Sequence, residues 1–202
     1  RSSDLLVPRF NLKLTQNHID ILGSLMYTIY RKRVENMKSN YIVRAQKFLR
    51  EFIPYMRMYP INVAVNVYNQ EKHRKVLYRH GAVRRALITS DYVIKWDYDA
   101  EMRRNFGGCR EEYKKYLEVK DDYYGYLFAE ITPIKVKGRQ FYVMPRVKIA
   151  GEYYYDTYIE DMLNEDEISF IYDDARIGDV HENNWGMLHG KPVLIDYACP
   201  IY

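Results

Sequence analysis

The most informative segment of the chain is Gly178-Asp179-Val180-His181-Glu182-Asn183-Asn184-Trp185-Gly186, near its C-terminal end. An apolar run, Pro192-Val193-Leu194-Ile195, follows it and stops at Asp196. Asp179, Asn184 and Asp196 therefore lie at offsets of 0, 5 and 17 residues. A loop that carries Asp and Asn, a two-stranded turn and an acid at the end of a buried strand together suit a divalent metal held over a phosphate. The acid in the loop is left free to receive a hydroxyl.

Each residue of this set also has a purely structural explanation. Asp and Asn both favour turns, which would account for Asp179 and Asn184, and Asp196 would simply end a strand. Taken one at a time, the structural and functional explanations are equally good. The two offsets together, with a lysine inside an upstream strand, favour a functional site.

Composition limits the class of protein. The chain has 202 residues, 48% of them hydrophobic, which is enough for one sizeable core or two small lobes. No apolar run approaches the ~20 residues that a membrane helix needs, and no signal segment opens the chain. Two cysteines, Cys109 and Cys199, argue against a disulfide framework and fit a reducing compartment. We therefore expect a cytoplasmic protein that does not bind membranes.

Charge is distributed unevenly along the chain. Residues 1–85 contain 17 Lys and Arg against 5 Asp and Glu, whereas residues 86–202 contain 14 against 22. A basic segment of this kind can mark a surface that binds nucleic acid or an acidic partner. The simpler explanation is that the two parts attract each other, or that the basic helices are solvated.

The first 75 residues are predicted to form a helical N-terminal extension. Apolar residues at helical spacing predict one helix from Thr15 to about Ile29 and a second from about Tyr41 to Phe52, ending near Pro54. Residues 61–68 alternate apolar and polar side chains, which predicts a half-buried strand. This part carries no catalytic grouping of its own.

Residues 76–147 are predicted to begin with a small antiparallel meander. Tight turns at Gly81 and Ser90-Asp91 separate three short strands, Val76 to Arg79, Arg84 to Thr89 and Tyr92 to Trp96. The third strand places Lys95 among apolar residues. Such a charge commonly protects an edge strand from aggregation, and for Lys95 alone that explanation is the better one.

Further elements follow in a regular order. Cys109 to Val119 is predicted to be a helix that carries Glu111 and Glu112. The remaining predictions are strands at Gly125 to Ile134 and Arg139 to Val147 with a turn at Lys137-Gly138, a connector at Met144 to Val147, and an acidic helix at Thr157 to Tyr172.

In this order the parts resemble those of the protein-kinase-like superfamily, and the resemblance covers about residues 76–202. The loop Asp179-x-His181-x-x-Asn184 with Ile195-Asp196-Tyr197 looks like the form found in aminoglycoside and choline kinases, and some atypical protein kinases share its histidine. The resemblance implies an α+β, two-lobed protein-kinase-like fold. A β-sheet N-lobe would span residues 76–147, and a truncated C-lobe with the catalytic loop would span residues 148–202.

The resemblance also implies roles in phosphate transfer. Asp179 would accept or orient the attacking hydroxyl, and His181 would donate to the transferring phosphate or brace the loop. Asn184 and Asp196 would bind Mg²⁺, which neutralises the charge of the triphosphate.

Binding of ATP is implied for a second group of residues. Lys95 would contact the α- and β-phosphates, held in place by an ion pair with Glu112 or its neighbour Glu111, of which we favour Glu112. Gly81 would lie over the phosphates, and the adenine would lie against the connector from Met144 to Val147.

Three features depart from the superfamily pattern. The turn has only Gly81 where protein kinases carry three glycines, and Arg84 or Arg85 would compensate. Ile177 stands where many relatives have His. The sequence ends six residues after Asp196, so we expect an open site without the later helices that bind substrate.

The expected function is therefore ATP- and Mg²⁺-dependent phosphate transfer to a hydroxyl, by a minimal protein serine/threonine kinase. An open site favours a large substrate that brings its own surface. One alternative is a small-molecule kinase. The other is a catalytically silent nucleotide-binding or interaction module whose basic N-terminal helices bind nucleic acid.

Overall fold

A computed structural model describes residues 40–81, 83–98, 108–149, 162–178 and 180–198, without the side chains of Ile149 and Glu182. The helix predicted from Thr15, the catalytic candidate Asp179 and Cys199 lie outside the described residues. The described part contains helices and antiparallel sheets, so the predicted α+β class is confirmed.

The largest element is a five-stranded antiparallel sheet. Its strands are β1 (Leu77–His80), β2 (Arg84–Ile88), β3 (Tyr92–Asp97), β4 (Thr132–Val136) and β5 (Arg139–Pro145). They pair in the order β1-β2-β3-β5-β4, which confirms the predicted meander. Because β3 is the central strand, Lys95 is not a charge on an edge strand, and that explanation is wrong.

Two helices pack on one face of this sheet. They are α1, residues 40–58, and α2, Ile61–Lys72. Alternate residues of β3, Tyr92, Ile94 and Trp96, are buried and share a core with both helices. The intervening residues Val93 and Lys95 therefore lie on the opposite face.

The division into compact units falls between Ser39 and Asn40. Residues 40–75, expected as part of an extension, thus include two helices that contribute to the core of the sheet.

The strand predicted at residues 61–68 is wrong, because this segment is the first part of α2. Its valines alternate, but the side chains that are buried or partly buried against the core are Ile61, Ala64, Val65 and Tyr68. Their spacing of 3, 4 and 7 residues is that of a helical stripe. Val63, which a strand would have buried with Val65, is exposed.

Helix α1 continues to residue 58 and does not end near Pro54 as predicted. Pro54 has no N–H to donate to the carbonyl oxygen of Arg50, one helical turn earlier. Lys137 supplies the missing donor, since its Nζ lies 3.2 Å from that oxygen. A contact from the distant β4–β5 turn thus satisfies the acceptor that the proline leaves.

The remaining elements form a second core. Helix α3 (Cys109–Val119) matches its prediction, and β6 (Lys148–Ile149), β7 (Trp185–Leu188) and β8 (Lys191–Leu194) form a three-stranded sheet. The buried side chains of this core come from α3, residues 127–131, β5, residues 170–177, β7, β8 and Tyr197.

Two predicted elements differ from their expected bounds within the described residues. The strand predicted from Gly125 begins only at Thr132, and Gly125–Leu127 is a 3₁₀ turn. The helix predicted from Thr157 begins, among the described residues, as α4 (Glu165–Ser169), which a π-helical turn (Phe170–Asp174) continues. Helix α4 begins at Glu165 because a capping box precedes it. The side chain of Asn164 accepts a hydrogen bond from the backbone N–H of Glu167, and the carboxylate of Glu167 accepts one from the backbone N–H of Asn164.

None of the helices in the described part of the chain combines the length with the apolar character that a membrane span requires.

Candidate functional site

A cavity of about 690 Å³ is lined by residues of both sheets and of the loop before β7. It brings together five residues that the sequence nominated: Lys95, Met144, Val147, Asn184 and Asp196. Side chains of β1 and β2 and the segment around Arg146 form most of the remaining wall. Residues more than 100 positions apart thus converge on one space.

Lys95 enters this space from the centre of the sheet. Its Nζ lies 2.9 and 3.2 Å from the two carboxylate oxygens of Glu112, which is fully buried. The predicted pairing of Lys95 with a helix glutamate is therefore present, and the partner is Glu112. Glu111 has a different role, because its carboxylate accepts from the backbone N–H of Gly108 and so caps α3.

The start of α3 is anchored directly to β3. The carboxylate of Asp97, two residues after Lys95, accepts a hydrogen bond from the backbone N–H of Cys109 at 2.8 Å. This bond fixes the first turn of α3 beside the strand that carries Lys95. Glu112, one turn into the helix, is thereby directed at the lysine.

Arg84 joins the same network from β2. Its Nη2 lies 2.5 Å from Oδ1 of Asp196, and its Nη1 lies 3.5 Å from Oε2 of Glu112. Burial opposes the charge of this guanidinium, but the carboxylates of Glu112 and Asp196 outweigh it, so the pKa of Arg84 is raised. Lys95, Glu112, Arg84 and Asp196 form one chain of alternating charges, which we call the charge network.

Glu112 is the most deeply buried member of the charge network. Burial raises the pKa of its carboxyl above the usual value, and the charges of Lys95 and Arg84 reduce that rise without cancelling it. A carboxylate without solvent is retained in a protein when cations and hydrogen bonds surround it. Removing either cation would therefore leave Glu112 less stable in its ionised form.

A hairpin sets the distance between Asn184 and Asp196. Strands β7 and β8 pair Trp185 with Leu194, and the backbone N–H of Ile195 donates to the carbonyl oxygen of Asn184 at 2.8 Å. The turn residues His189 and Gly190 both have positive φ, of 52° and 79°, as a tight two-residue hairpin requires. The two predicted metal ligands are thus neighbours across a ladder.

The segment that carries Asp196 is fixed on both sides. Before it, the carbonyl oxygen of Ile195 accepts from Lys95 Nζ at 2.6 Å. After it, the buried hydroxyl of Tyr197 donates to the carbonyl oxygen of Ala129 at 2.6 Å. Asp196 therefore has a defined backbone position although it lies beyond the end of β8.

The connector is attached to the same structure. Met144 and Pro145 end β5, opposite Val93 and Tyr92, so the irregular part is limited to residues 146–147. Arg146 donates from its backbone to Asp91 and from Nη1 to the carbonyl oxygen of Thr89, at 3.0 and 2.7 Å. The wall where the adenine was expected is thus held by the β2–β3 turn.

Gly186 in β7 allows the connector to approach. A Cβ at this position would lie 2.2 Å from Cγ2 of Val147 and 3.0 Å from the carbonyl oxygen of Lys148, distances that require a shift. The absence of a side chain is therefore what lets β6 pair with β7 directly behind Asn184.

We expect Gly186→Ala to reduce the free energy of unfolding by about 1–3 kcal/mol, the cost of overpacking a core. Urea denaturation of the variant measures it. Gly81→Ala is the matched control, because the nearest atom to its added Cβ is 3.9 Å away. Equal unfolding midpoints for the two variants would contradict a close contact at Gly186.

Among the described residues, the nominated Gly81 and His181 do not line this wall. Gly81 lies in the β1–β2 turn, where its N–H donates to the carbonyl oxygen of Arg84, and it does not line the cavity, whereas Arg79 of β1 does. Nδ1 of His181 accepts a hydrogen bond from the backbone N–H of Asn183 at 3.2 Å. The backbone carbonyl oxygen of His181 accepts another from the backbone N–H of Asn184. Within the described contacts, His181 therefore braces the loop. Asp179 lies outside the described residues.

The donors at the cavity fit Mg²⁺ that is bound together with phosphate. No three His, Cys, Asp or Glu side chains of the described residues are grouped to hold a metal ion. Asn184 and Asp196 instead offer one amide and one carboxylate, both hard oxygen ligands. Mg²⁺ commonly takes one or two protein ligands when substrate phosphates and water complete its shell.

The roles of Arg84 and Gly186 in building the site were not predicted from the sequence. Arg84 was considered only as a substitute for missing glycines, and its contacts with Glu112 and Asp196 join residues 28 and 112 positions away. Gly186 had no assigned role. A glycine inside a short strand is the one local signal that would have indicated a close backbone approach.

Comparison with known proteins finds no family model that matches this chain and no curated protein that matches it.

Proposed function

We propose that this chain is a phosphotransferase with a two-lobed protein-kinase-like fold, which transfers the γ-phosphate of ATP to a hydroxyl group. The observation that carries the proposal is the placement of the Lys95–Glu112 ion pair on the same cavity as Asn184 and Asp196. A cation held by a buried acid suits a phosphate chain, and an adjacent amide and carboxylate suit Mg²⁺. The five-stranded sheet with α3 would form the N-lobe, and residues from 148 onward would belong to the C-lobe.

Each side chain has a physical task in this proposal. Lys95 places a positive charge at the α- and β-phosphates, and Glu112 keeps that charge in one position. Asn184 and Asp196 would hold Mg²⁺, which supplies charge neutralisation for the triphosphate. Asp179 orients the acceptor hydroxyl and receives its proton as the new oxygen–phosphorus bond forms and the bond from the γ-phosphorus to the bridging oxygen breaks, which releases ADP.

A serine or threonine of another protein is the acceptor that we propose. The cavity volume of about 690 Å³ lies within the range of ~300–1,000 Å³ for a pocket that encloses one small ligand. A nucleotide would take up most of it, so the acceptor approaches at the mouth. A hydroxyl on a protein side chain reaches such a position without needing an enclosing wall of its own.

The test is transfer of radiolabelled γ-phosphate from ATP, with Mg²⁺, to a whole-cell lysate. We expect labelled protein with the unaltered chain and a loss of about 10³-fold or more with Asp179→Ala, because the proton acceptor is removed while nucleotide binding remains. Asp174→Ala is the matched control, an exposed acid five residues away.

The distribution of label separates the alternatives. Label in small molecules alone would favour a small-molecule kinase. Equal labelling by the Asp179→Ala and unaltered chains would contradict the role of Asp179. Nucleotide binding without any transfer would favour a silent module.

A further inference from the structure

Arg84 stands behind the cavity wall. Ala86 and Ile88, which alternate with it along β2, line the cavity, so the strand directs all three side chains to the same face. Only 20% of the Arg84 side chain is exposed, and its guanidinium lies between the carboxylates of Glu112 and Asp196. Arg84 itself does not line the cavity, so it acts on the cavity through Glu112 and Asp196, which it contacts.

The contact with Asp196 leaves one oxygen of that carboxylate for another ligand. Nη2 of Arg84 lies beside Oδ1, and Asp196 itself forms part of the cavity wall. Carboxylates that bind metals are commonly held by a hydrogen bond from a neighbouring group, which fixes their orientation. Arg84 satisfies that description for Oδ1, which makes Oδ2 the oxygen that would be available to a metal ion.

A second, ionic contact holds the guanidinium of Arg84 near Glu112, although Nη1 has no hydrogen-bond partner among the described groups. Nη1 lies 3.5 Å from Oε2 of Glu112, and Glu112 is fixed by Lys95 on β3 and by its position in α3. The guanidinium therefore retains a counter-ion when Asp196 takes on a metal. An arginine with Asp196 as its one partner would instead share its only counter-ion with the metal.

We propose that Arg84 is a positioning residue that orients Asp196 for Mg²⁺ in the Mg²⁺–nucleotide complex. This inference rests on the proposed function. It means that β2 and α3 determine the orientation of the Asp196 carboxylate, together with the hairpin that carries it. It also gives the buried Glu112 a second task, since the same carboxylate fixes both Lys95 and Arg84.

The test measures binding of Mn²⁺, as a spectroscopic substitute for Mg²⁺, to the full chain with ADP. We expect Arg84→Gln to weaken Mn²⁺ binding about 10- to 100-fold, the usual effect of losing a group that orients a metal ligand. Binding of ADP in the presence of EDTA is expected to change less than about twofold. Arg85→Gln is the matched control, because Arg85 lies on the other face of β2, with its guanidinium 4.3 Å from the centre of the Tyr98 ring.

Each outcome is decisive. Tighter Mn²⁺ binding by Arg84→Gln would mean that Arg84 competes with the metal for Asp196, and unchanged binding would mean that it has no such role; either overturns the proposal. If Arg84→Gln does not fold, Arg84→Lys keeps the charge but is too short to bridge both carboxylates, and Mn²⁺ affinity equal to that of the unaltered chain would overturn the proposal. An unaltered chain that binds neither ADP nor Mn²⁺ would overturn the proposed function itself.

Discussion

Lys95→Met is expected to reduce kcat/KM for ATP-dependent phosphate transfer by about 10²–10³-fold, the effect of removing one preorganised charge from a site of developing negative charge. The methionine keeps most of the volume of the side chain but cannot neutralise phosphate. Steady-state kinetics over a range of ATP concentrations would measure the loss. The expected change includes weaker nucleotide binding, because in the proposed complex Lys95 would contact phosphate before transfer begins.

Stability provides a second measurement for the same variant. Lys95→Met leaves Glu112 with Arg84 as its remaining cation in the charge network. The decrease in the free energy of unfolding should be smaller than the ~3–5 kcal/mol that follows when a buried pair is broken completely. Lys135→Met is the matched control, since Lys135 is exposed on β4. A loss of activity as large in the control would refute a specific role for Lys95.

Asp196→Ala is expected to lower Mg²⁺-dependent transfer by about 10³-fold, equivalent to the several kcal/mol that a bound metal contributes to a charged transition state. The physical reason is the loss of the carboxylate on the cavity wall, which leaves the amide of Asn184 as the other ligand that we propose. Activity titrated against Mg²⁺ concentration would show a higher requirement in the variant. Binding of ATP in EDTA should persist, because Lys95 and Glu112 are unchanged.

The control for this prediction is Asp166→Ala, an exposed acid at the start of α4. A variant at Asp196 that retains full transfer at low Mg²⁺ would remove it from the metal site. Loss of ATP binding in EDTA would instead point to a general disturbance of the charge network.

Local patterns predicted most of the elements that position the site. Alternation in Tyr92–Asp97 and turn residues around it were sufficient for the meander, and helical spacing was sufficient for α3. The pairing of Lys95 with Glu112 was implied by the resemblance to the protein-kinase-like superfamily, and the structure brings the two side chains together. These features depend on neighbours in the sequence or on one short-range packing step.

The features that were missed depend on packing between distant residues. Residues 61–68 satisfy both a strand alternation and a helical stripe, and burial against the sheet decided for the helix. The Arg84 contacts form because β2, α3 and the end of β8 meet, which no local spacing records. Continuation of α1 through Pro54 likewise depends on Lys137, which lies 87 residues from the carbonyl group it contacts.

The hairpin between Asn184 and Asp196 restricts how this part of the gene can change in length. Side chains alternate between the faces of a strand, so a single residue inserted into β7 or β8 would turn one proposed metal ligand away from the other. We therefore expect insertions and deletions within the strands to be tolerated only in matched pairs, one residue in each strand. The tip at His189-Gly190 is the part of the hairpin farthest from the proposed ligands, but it shares the constraint, because the type and length of the turn fix the register of the two strands.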